Sequence, residues 1–95
     1  MTTRTLRVHQ NGQTLLAWWC SNDDWPTFPV TSDPRTHFQV RFHDVGLCDV
    51  MLDGALIYRF VEKDGAPGPN GFHRVEFLFD NDVWVLEYRR DPGTG

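Results

Sequence analysis

Residues 47–63 read LCDVMLDGALIYRFVEK, and this stretch decides the fold. Two apolar runs flank the dipeptide Asp53-Gly54. In the first, Cys48, Val50 and Leu52 recur at every second position, the period of a half-buried strand. A two-residue type I′ turn needs positive φ at both central positions, and Asp-Gly and Asn-Gly tolerate this best. The stretch is therefore a β-hairpin. The same reading extends outward in both directions. Asn11-Gly12 sits between TLRVHQ and QTLLAWWC, and Asn81-Asp82 sits between FHRVEFLFD and VWVLEYRR.

The rest of the chain follows this pattern. Residues 37–43 alternate, with Phe38, Val40 and Phe42 on one face and His37, Gln39, Arg41 and His43 on the other. Val45-Gly46 turns the chain toward residue 47. Val75, Phe77 and Phe79 share one face of the last hairpin with His73, opposite Trp84, Leu86 and Tyr88. Residues 13–20 are apolar on both faces, as in a strand covered on both sides or a short helical turn. The stretches 21–35 (SNDDWPTFPVTSDPR) and 64–71 (DGAPGPNG) read as loops, because proline removes a ladder donor. The expectation is one all-β antiparallel domain over 1–95, with 91–95 as a frayed tail. It holds about six to seven strands in a β-sandwich or a small, partly open barrel built from hairpins.

Composition narrows the classes of function. The chain has 95 residues, 40% hydrophobic and 14% aromatic, which is enough for one core and argues against disorder. A formal charge of −4 works against non-specific binding to nucleic acid or to an anionic membrane. No apolar run approaches the roughly 18 residues of a spanning helix. The N-terminal segment MTTRTLRVHQNGQTLL has no apolar h-region and no small-residue cleavage site, so a cytoplasmic location is expected. Cys20 and Cys48 then read as reduced, buried thiols, with a single cross-strand disulfide as the alternative. Lys63 is the only lysine among nine basic residues, which fits a GC-rich coding sequence from a bacterium or phage.

Signatures of chemistry are missing from the sequence. His9, His37, His43 and His73 have no metal-ligand spacing and read as solvent-facing strand residues. Ser21 and Ser32 lie outside any nucleophile motif, and Asp80-Asn81-Asp82 lacks the glycine and glutamate of a calcium loop. No enzyme activity, metal or cofactor is expected. The feature that stands out is Asp23-Asp24-Trp25-Pro26-Thr27-Phe28-Pro29, an acidic and aromatic loop stiffened by proline. Preordering lowers the entropy lost on binding, and tryptophan is over-represented in interface hot spots. The expected partner-binding residues are Asp23, Asp24, Trp25, Phe28 and Arg35, with Trp25 and Phe28 either anchors or plugs of the core.

Two classes of function remain from these observations. The first is a non-enzymatic protein-interaction module, such as an inhibitor, adaptor or accessory subunit. The second is a small-ligand-binding barrel, for which Trp18, Trp19 or Trp84 would line a pocket. A domain for single-stranded nucleic acid is a further alternative, although the aromatics of residues 38–43 lie opposite Arg41. A homodimer through an exposed edge strand is compatible with the first class.

Overall fold

The computed structural model describes residues 3–21, 24–43 and 46–90, without the side chains of Leu16, Trp18, Cys20 and Ser21. The expectations for Asp23, Val45 and the tail 91–95 lie outside the described residues. Among the described residues nine strands run in chain order. They are β1 (Thr3–Gln10), β2 (Gln13–Ser21), β3 (Thr27–Pro29), β4 (His37–Phe42), β5 (Leu47–Leu52), β6 (Ala55–Val61), β7 (Ala66–Pro67), β8 (His73–Phe79) and β9 (Asp82–Arg90). They form two antiparallel sheets, ordered β2-β1-β9-β8-β7 and β3-β4-β5-β6. The protein is an all-β sandwich. β1 pairs with β9, so the first and last strands lie side by side in the middle of one sheet.

The strand count exceeds expectation by two short strands within the supposed loops. Phe28 alternates with exposed Thr27 and Pro29, and β3 pairs with β4 through Phe28 opposite Phe38. β7 sits between single 3₁₀ turns at Glu62–Asp64 and Pro69–Gly71. Both strands hold a proline, Pro29 and Pro67, and both are sheet edges, where proline need not break a ladder.

The first two turns form where expected, with φ of 50° and 83° at Asn11 and Gly12, and 47° and 85° at Asp53 and Gly54. The third lies one residue earlier, at Asp80 and Asn81 with φ of 52° and 67°. Asp82 is the first residue of β9, opposite Phe79. Its carboxylate accepts hydrogen bonds from Gln10 Nε2 at 3.0 Å and Asn11 Nδ2 at 2.8 Å, which hold it against β1.

The alternating faces meet between the sheets. Phe38, Val40, Phe42, Phe77, Trp84 and Leu86 are buried, while Val75 and Phe79 are half-buried against them. Aromatic pairs join the two layers. Phe38 stacks on Trp84 with centroids 4.2 Å apart, and Tyr58 stacks on Phe77 at 4.4 Å. Cys48 is fully buried in this core. Buried Gln10 ties residues 31–32 to the other sheet, because its Oε1 accepts from Thr31 N at 2.8 Å and its Nε2 donates to Ser32 Oγ at 3.0 Å.

Candidate functional site

The solvent face of the four-stranded sheet is built by the same alternation that fills the core. On β4, His37, Gln39 and Arg41 point away from the core faced by Phe38, Val40 and Phe42. The segment before β3 runs along this strand, with the Pro26 carbonyl accepting the Val40 N–H at 3.4 Å. Thr27 Oγ1 donates to the Trp25 carbonyl at 2.9 Å and accepts from Gln39 Nε2 at 3.1 Å. Trp25 is thereby laid on the sheet, with the Arg41 guanidinium 4.9 Å from its ring centroid.

Arg41 stands opposite Asp49 of β5, which in turn stands opposite Arg59 of β6. Asp49 lies on the solvent side, yet it is only 6% exposed. Arg59 Nε donates to its Oδ1 at 2.5 Å and Nη2 to its Oδ2 at 3.1 Å, and His43 Nε2 lies 2.8 Å from the same Oδ2. The hydrogen bond from Arg59 holds the Asp49 carboxyl below the usual carboxylate range, with His43 adding to the effect. The result is a continuous surface of Trp25, Arg41, Asp49, Arg59 and His43, in which the one central carboxylate is already committed.

The structure divides the expected partner-binding residues. Asp24 is exposed next to Trp25 on this surface. Phe28, 4% exposed, faces the core against Phe38 with centroids 5.1 Å apart, so it plugs the sandwich and is not an anchor within a partner's reach. Alternation decides this, because Phe28 pairs with an inward residue. Arg35 lies beyond the opposite end of β4, before His37. Its side chain is 91% exposed and turns back on Asp33 at 3.2 Å. Arg35 therefore does not join Trp25 in one site.

The histidines also differ from the simple solvent-facing reading. His9 Nε2 lies 2.7 Å from Glu87 Oε1, and His73 stacks on Tyr88 at 5.7 Å on the inward side. Among the described residues no group of His, Cys, Asp and Glu is placed to hold a metal ion.

A cleft of about 780 Å³ opens at the end of the sandwich, lined by Val61, Lys63, His73, Tyr88 and Arg90, among others. Its floor is rigid. Arg4, 1% exposed, makes a paired contact to Glu62 at 2.7 and 2.8 Å, and Tyr88 Oη donates to the Glu62 carbonyl at 2.5 Å. Trp84 instead lines a smaller cleft of about 210 Å³ between the sheets at the other end. No family model matches the chain, and comparison with curated proteins and with solved structures finds no match.

Proposed function

We propose that this protein is a non-enzymatic interaction module, an inhibitor, adaptor or accessory subunit, that binds a protein partner through the outer face of its four-stranded sheet. The observation that carries the reading is Trp25, half-buried and held against Arg41 by a proline-stiffened segment on the outer face of β4. A large side chain ordered before binding loses little entropy on docking. Asp24 forms the acidic edge of the same surface, and half-exposed Arg59 offers a charge beside it. The partner would present an apolar pocket for the indole. The test is affinity purification with wild-type protein and Trp25→Ala, followed by calorimetry with the purified partner. The variant should bind about 30-fold more weakly, or about 2 kcal/mol, as for a hot-spot tryptophan. Its melting temperature should move far less than that of Phe77→Ala, a core deletion that should cost about 3–5 kcal/mol. A partner that binds both proteins equally would overturn the reading.

A second reading is favoured by one observation, the volume of the end cleft. It falls within the roughly 300–1,000 Å³ of small-molecule sites. Lys63 in its lining suits an apolar molecule that ends in a carboxylate, while Arg90 there already lies 3.6 Å from Glu62 Oε1. Calorimetric titration with dodecanoate should then show one saturable site, weakened in Lys63→Glu. Heat without saturation would dismiss this ligand.

A further inference from the structure

We propose that β2 is a homodimerisation edge. Two copies of the chain would pair β2 with β2 antiparallel about a two-fold axis and join their five-stranded sheets. An edge strand presents unpaired backbone N–H and C=O groups, and proteins commonly blunt such edges with short strands, proline, charge or bulges. Among the described residues three sheet edges are blunted. β7 has two residues, one of them Pro67, and β3 has three, ending in Pro29. β6 carries Arg59 and shifts register against β5 between Val50 and Met51. β2 is different: nine residues, QTLLAWWCS, without a charge or a proline. Its ladder to β1 is irregular only near Thr14 and runs unbroken over 16–21. Among the described residues it pairs with β1 alone.

The strand's own sequence points to a second copy as the occupant. Among the described residues every other strand of six or more residues carries at least one charged residue, so β2 itself is the long, uncharged strand available there to pair with β2. It is also self-complementary. Ala17 and Trp19 are both exposed on the outer face, and Trp19 is 60% exposed. An axis through residue 18 sets Ala17 opposite the partner's Trp19, and Trp19 opposite the partner's Ala17. Each large ring then covers a small residue, the kind of cross-strand pairing that stabilises sheets.

Sedimentation velocity over a dilution series tests this. Wild-type protein should sediment as a dimer that dissociates on dilution. Ala17→Lys and Trp19→Lys change exposed positions and should keep the wild-type circular dichroism spectrum, while dimer affinity falls by about tenfold or more. Leu56→Lys on the β6 edge and Trp25→Ala should leave the dimer intact, which separates this edge from the proposed partner surface. A wild-type monomer at every concentration would overturn the proposal. So would Ala17→Lys and Trp19→Lys proteins that dimerise as tightly as wild type.

Discussion

Tyr88 shows how one residue ties the end of the sandwich together. Its ring lies between Phe42 and Phe60, and its hydroxyl donates to the carbonyl of Glu62, whose carboxylate holds Arg4. Gly65 passes so close that a Cβ there would collide with the Tyr88 hydroxyl, so no larger residue fits. Burial, reinforced by the Glu62 charge, pushes the Tyr88 phenol up to about 12 from an ordinary 10.0. The folded state therefore resists ionisation more than the unfolded chain does. The stability this contributes is fully present below pH 10 and is lost as the pH rises from 10 toward 12. Urea midpoints measured across this range should fall with pH in the wild type, with a shallower fall in Tyr88→Phe. Equal slopes would show that the phenol titrates freely. At the acidic end the sign reverses for Asp49. Its depressed carboxyl stabilises the fold above its ordinary 3.8, and that contribution is lost as the pH falls through the lowered value.

At the scale of elements, turns were legible and bulges were not. Asp53-Gly54 announces its hairpin because few residue pairs accept positive φ at two successive positions. Gly54→Ala would place a Cβ at φ of +85° in open space, so the cost is backbone strain without collision. It should lower stability by about 1 kcal/mol, read as a shift in the urea midpoint with an unchanged slope. Counting from the turn in a regular hairpin sets Asp49 opposite Tyr58. The register shift after Val50 instead sets Asp49 opposite Arg59 and creates the ion pair at the centre of the candidate surface. A bulge inserts one residue without a distinctive residue type to mark it, so that pair could not be read from spacing. The third turn was misplaced by one position for a related reason. Asp80, Asn81 and Asp82 all suit a turn, and only contacts from Gln10 and Asn11 assign Asp82 to the strand.

At the scale of the whole molecule, two chain crossings turn a string of hairpins into a sandwich. One follows β2 and the other follows β6, and between them β3 to β6 form a meander of neighbours. The closing pair, β1 with β9, joins residues such as Leu6 and Tyr88 from opposite ends of the chain. Period-two alternation together with the Asn-Gly and Asp-Gly turns determined the all-β class, the hairpins and the inward faces of β4, β8 and β9, because side-chain direction along a strand and turn conformation are local properties. The sequence also marked Trp25 as unusual. Which sheet each hairpin joins, the burial of Phe28, the separation of Arg35 from Trp25 and the meeting of Asp49 with Arg59 were decided by tertiary structure alone. Each depends on pairing between segments distant along the chain or on a one-residue register shift. Residue type and spacing within a single strand carry no record of which strand will lie beside it.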